Sequence, residues 1–143
     1  MKTEIKLKMA GQGLNPICYM PEPEINETPT HLTGILESVK ESETKYGESI
    51  FYTVTLTQPY DSIDQSGKVK TYAEGETVTI LGSGHLDFLF STVATELGLK
   101  EVTELKSIYI DLVRKPDSKM PKGKFKGKKV KCFELGWSEE LPS

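Results

Sequence analysis

The chain has 143 residues, 36% of them hydrophobic and 27% charged, with a formal net charge of −3. A chain of that size and composition folds as one domain with its own core, which excludes wholesale disorder. No stretch approaches the ~20 apolar residues of a membrane span, the N-terminus lacks the apolar run of a secretory signal, and two cysteines, Cys18 and Cys132, fit free thiols in a reducing compartment, with the cytoplasm as the expected location.

Residues 3–9 (TEIKLKM) alternate as a short strand, with Ile5, Leu7 and Met9 on one face. Residues 14–30 carry Pro16, Pro21, Pro23 and Pro29 among three glutamates, so they form an irregular arm, not a helix. Residues 1–30 therefore read as an N-terminal extension. A β-domain begins at His31. HLTGILESVKES (31–42) is a strand in which Gly34 marks a bulge or sharp bend. IFYTVTLTQ (50–58) alternates most clearly: Ile50, Tyr52, Val54 and Leu56 face a core, while Phe51 and the threonines face outward. Pro59 to Lys70 reads as a loop, and GETVTILG (75–82) as a strand with Val78 and Ile80 inward. From Leu86 the apolar period changes to positions 86, 89, 90, 93, 94 and 97, the stripe of an amphipathic helix. Ser83 or His85 caps its start and Gly98 stops it. SIYIDLV (107–113) and VKCFELGW (130–137) complete the domain at 31–137 as a hairpin, followed by a short tail, 138–143.

Between those last two strands lies the feature with the sharpest chemistry. Residues 114–131, RKPDSKMPKGKFKGKKVK, hold nine Lys/Arg and one acid, a formal +8, whereas residues 1–113 sum to −8 and residues 132–143 to −3. An acidic protein with its cations gathered in one run has an electrostatic address. In an extended segment Lys122, Lys124, Lys126 and Lys128 point to one side and Phe125 to the other. Cations beside an aromatic on a loop suit a phosphate backbone and stacked bases. A loop that merely keeps a hairpin edge soluble is the plainer alternative.

The element order, β-β-β-α-β-β, is that of an OB-fold: a mainly β, five-stranded barrel with one helix between its third and fourth strands. In such a barrel the loop between the last two strands flanks the binding face, and here that loop carries the lysines. Aromatic platforms for bases are sought among Phe51, Tyr109, Phe125 and Phe133. If Ile108, Ile110 and Leu112 point inward, Tyr109 points outward. If Val130 and Cys132 point inward, Lys129, Lys131 and Phe133 make an outward basic and aromatic stripe, the arrangement favoured over a buried Phe133. Trp137 reads as a seal at the barrel end.

Residues 75–136 resemble small OB-fold proteins of bacteriophages and prophages taken to be single-stranded DNA-binding proteins. The resemblance rests on Gly82, Ser83 and Leu86 at a helix start, Lys122, Gly123, Lys124 and Lys126 at a hairpin tip, and Phe133 and Glu134 on the strand that follows. It implies a role in DNA replication or recombination. The arm at 14–30 has no counterpart there, and the ending SEELPS lacks the long acidic docking tail of many single-strand binders.

Nothing in the chain marks an enzyme. His31 and His85 are far apart, and there is no nucleophile elbow, Walker loop or H-E-x-x-H. Cys18, His31, His85 and Cys132 lack zinc-ligand spacing, and Asp61 and Asp64 read as a solvated turn. No metal or cofactor is expected. The expectation is sequence-tolerant binding of single-stranded DNA through Lys115, Lys119, Lys122, Lys124, Lys126, Lys128, Lys129 and Lys131, with Phe125 and the other aromatics stacking. RNA as ligand, replication or recombination proteins as partners, and a homo-oligomer stay open. The alternative from another class is an assembly module whose basic hairpin docks on an acidic partner.

Overall fold

A computed structural model describes residues 16–24, 30–44, 47–64, 66–119 and 129–141. The expected strand at 3–9 and the lysine-rich tip, including Phe125, lie outside the described residues. The elements are β1 (His31–Thr44), β2 (Gly47–Leu56), β3 (Tyr60–Ile63), β4 (Val69–Tyr72), β5 (Thr77–Leu81), α1 (Gly84–Glu96), a 3₁₀ turn (Val102–Glu104), β6 (Ile108–Lys119) and β7 (Lys129–Ser138). Among the described residues no helix is long and apolar enough to cross a membrane.

The five long strands form one antiparallel sheet in the order β5-β2-β1-β6-β7. Alternation decides which side is buried. Leu32 and Leu36 of β1, Tyr52, Val54 and Leu56 of β2, Val78 and Ile80 of β5, and Ile108, Ile110 and Leu112 of β6 all enter one core. Helix α1 lays Leu86, Phe90, Val93 and Ala94 against it, with the Phe90 ring stacked 4.2 Å from that of Tyr52. The helix ends where expected: Leu97 caps it and Gly98 takes φ +77°, which glycine adopts without strain. Ser83 is the N-cap residue but makes no side-chain capping bond. Trp137 packs half-buried against the core.

Three expectations are corrected. The loop at 59–70 contains a second, two-stranded sheet, β3-β4. Tyr60, Ser62 and Tyr72 turn inward there, and Asp64 closes the turn by accepting bonds from the Ser66 and Lys68 amides at 2.9 and 3.0 Å. The bulge of β1 lies between Leu36 and Ser38, not at Gly34. Gly34 is needed for close approach, because a Cβ there would overlap the Thr55 carbonyl oxygen and sit 2.7 Å from Val54 Cγ1. Gly34→Ala is therefore expected to lower stability by ~1–3 kcal/mol through overpacking, read as a reduced urea midpoint at unchanged slope; an unchanged midpoint would contradict this packing. Third, the β6–β7 ladder runs past Val113 to Lys119↔Lys129, so Lys115, Lys119 and Lys129 lie in strands. Pro116 lacks an amide to donate, and the register shifts between Lys115 and Ser118 to accommodate it.

The sheet is not a closed barrel among the described residues. β5 and β7 are its two edges, and the arm runs along the first. Ile17 bridges Thr79 in parallel, through Cys18 N–H to the Thr79 carbonyl (2.8 Å) and Thr79 N–H to the Pro16 carbonyl (2.9 Å). Further on, Tyr19 N–H donates to Ser62 Oγ, whose hydroxyl donates back to the Tyr19 carbonyl. Glu22 Oε2 accepts from Asp117 N–H of β6. The arm is thus a strap tied to β5, β3 and β6.

Candidate nucleic-acid interface

The outward face of the sheet follows from the same alternation that builds the core. On β2, Phe51, Thr53 and Thr55 stand opposite Tyr52 and Val54 and remain half-exposed. The register places Lys40, Phe51 and Leu81 in one row across β1, β2 and β5. Lys40 and Leu81 are exposed, so Phe51 lies between a cation and an apolar neighbour. Nearby rows are threonine-rich; the Thr55 and Thr77 hydroxyls lie 3.0 Å apart. Tyr109 of β6 also faces outward, half-exposed beside Ile35.

The charges on this face are mixed. Asp111 of β6 is 2.8 Å from His31 Nδ1 and accepts a weaker bond from Thr33 Oγ1 at 3.4 Å. Lys115 pairs with Glu134 across β6–β7 at 2.9 Å, so its charge is partly answered within the hairpin. At the far end of that hairpin the ladder closes at Lys119↔Lys129, which makes residues 120–128, with Lys122, Lys124, Lys126 and Lys128, its connector.

Phe133 corrects the sequence reading. It is 7% exposed and belongs to the core, because β7 turns its odd-numbered residues inward: Phe133, Leu135 and Trp137 all pack on the core cluster. The physical cause is the partner strand. Phe133 pairs with Arg114, whose parity follows Ile110 and Leu112 into the interior. The Arg114 guanidinium carbon lies 5.4 Å from the Phe133 ring centre, and its Nη2 is 2.6 Å from Asp117 Oδ1. Phe133 is therefore no outward platform. Lys131 shares its parity but stays exposed.

No family model, no curated protein and no solved structure matches this chain.

Other sequence-singled residues are dispersed. His85 Nδ1 accepts the Phe133 amide at 3.0 Å, tying the start of α1 to β7, whereas His31 sits on the outward face. Cys18, on the inner side of the strap, is buried, and burial pushes its thiol up to about 11. Among the described residues no three His, Cys, Asp or Glu converge as metal ligands. In the first turn of α1, Asp87 accepts the Tyr52 hydroxyl at 2.6 Å. Burial raises the Asp87 carboxyl above its ordinary range, partly offset by that bond.

What sequence reasoning missed is the seam between β5 and β7. A cavity of about 320 Å³ opens there, walled by the strap, the β5–α1 junction and the β6–β7 hairpin. Arg114 had a usable signal, since it continues the inward parity of Ile110 and Leu112. The strap residues had none, because their place depends on backbone bonds to a strand some sixty residues on.

Proposed function

We propose that this protein binds single-stranded DNA without sequence preference, through the β6–β7 connector and the adjoining outward face of the sheet. The carrying observation is the β6–β7 ladder, which ends at Lys119↔Lys129 and makes the four alternating lysines its connector. A cationic run held between two paired strands can follow a phosphate backbone while the sheet beside it supplies rings and hydroxyls. Phe51, in its row with Lys40 and Leu81, is the stacking residue this arrangement favours, and Tyr109 is the second.

Strand order and helix position support reading the sheet as a partly open OB-type barrel, with its helix between the third and fourth long strands and the β3-β4 hairpin as an insertion. Binding of this kind needs no chemistry, and it fits protection of exposed single strands during replication or recombination. Its acidic body would repel DNA away from the basic connector, which narrows the contact to one path.

Titration of fluorescein-labelled dT oligomers at several salt concentrations tests the reading. Binding that weakens linearly in log–log form with salt is the expected result. Absence of dT binding at low salt, with retention of an acidic protein partner instead, would replace this function by the assembly role.

A further inference from the structure

The cavity in the seam has an unusual wall. Of the seven large hydrophobic side chains that the described residues expose, four surround it: Ile17, Tyr19, Ile63 and Leu81. Exposed apolar groups scattered singly need no explanation, but four converging on one concavity do. Its volume of about 320 Å³ falls at the small end of the roughly 300–1,000 Å³ of ligand sites.

The polar lining is cationic and partly unsatisfied. Arg114, 6% exposed and already paired with Asp117, and the exposed Lys131 both contribute. Ser83, where β5 gives way to α1, lines the same cavity, and its Oγ is buried without a hydrogen-bond partner. A buried hydroxyl left unbonded is uncommon and marks a place where a ligand atom can complete the set. The one carboxylate in the wall, Asp64, is engaged elsewhere: it accepts bonds from the Ser66 amide and hydroxyl and from the Lys68 amide.

The seam also shares β7 with the end of the ladder that leads to the lysine run. Lys131, which lines the cavity, lies two residues beyond Lys129, the last described β7 residue before that run. We propose that the seam cavity seats one nucleotide of the bound single strand, its base against Tyr19, Ile17, Ile63 and Leu81 and its phosphate toward Arg114, Lys131 and Ser83 Oγ. This site rests on the single-strand reading above and extends it to a second subsite at the β5 edge, which shares Leu81 with the Phe51 row.

The test uses the full chain with labelled dT oligomers. Tyr19→Ala and Lys131→Ala suit it because both side chains are exposed, and Tyr19 makes its bonds to Ser62 through its backbone. Tyr19→Ala is expected to weaken dT binding roughly 5- to 100-fold, as loss of one stacked base does, and Lys131→Ala to flatten the salt slope by about 0.7. The methyl resonances of Ile17 and Ile63, which lie outside the Phe51 row, should shift on adding the oligomer. Wild-type dT binding with those methyls unmoved and both variants unchanged would overturn the seam site and leave the single-strand reading standing. Failure of the wild type to bind dT at low salt would overturn both.

Discussion

Replacing Lys122, Lys124, Lys126 and Lys128 together by Ala should flatten the dependence of dT affinity on salt by ~3 in log–log slope. Each lysine that neutralises a phosphate on a single strand releases counterions worth roughly 0.7 in that slope, and four are removed. The fold should survive, because the ladder that positions the connector closes at Lys119↔Lys129, outside the substituted residues. Loop substitutions of this kind usually change stability by less than ~0.5 kcal/mol. A loop that only keeps the hairpin soluble predicts equal slopes for wild type and variant. Fluorescence titrations of both proteins over a salt series, with thermal melts alongside, distinguish these outcomes; parallel slopes would remove the connector from the binding surface.

A comparison of Phe133→Ala with Tyr109→Ala should give opposite signatures. Phe133 is buried, and one face of its ring is already covered by Arg114. Truncating it leaves a void and uncovers a guanidinium held inside the domain, so a loss of ~3 kcal/mol or more is expected. Tyr109 stands half-exposed on the outward face beside Ile35. Its truncation should cost about 1 kcal/mol or less in stability and weaken dT binding instead, by the ~1–3 kcal/mol of a stacked base if it stacks. Urea unfolding read beside dT titration separates the two effects. Equal stability losses in the two variants would contradict the inward parity of β7.

Parity was the readable part of this sequence where a strand had enough apolar residues to declare it. Ile50 to Leu56 and Leu86 to Leu97 repeat their patterns, and both took the form expected of them. β7 could not be assigned in the same way: Val130 and Cys132 offer an apolar face as credible as that of Phe133, Leu135 and Trp137. The choice was made by register with β6, a pairing that no local window contains. The β3-β4 hairpin escaped for a related reason. Its four-residue strands, YDSI and VKTY, expose five of their eight residues and bury three, and what holds them is the inward turn of Tyr60, Ser62 and Tyr72. The lysine run was plain in the composition, whereas the seam needed the tertiary placement of the strap, Ser83 and Arg114.

The central position of β1 bears on how the chain is made. One edge of β1 is satisfied early, by β2 just across a short turn, but its other edge waits for β6, beginning at Ile108. A ribosome must therefore deliver more than sixty further residues after β1 before the sheet can be completed. Over that interval the nascent chain presents an open row of amides and carbonyls on a strand rich in apolar residues, the kind of edge that recruits other chains. High sequence separation also slows closure once synthesis is finished, since loop entropy is lost before the pairing compensates it. Yield in a cell is thus tied to how fast β6 arrives and docks: a slow stretch of translation ahead of Ile108 lengthens the exposure of β1, and a chaperone that holds that strand shortens it.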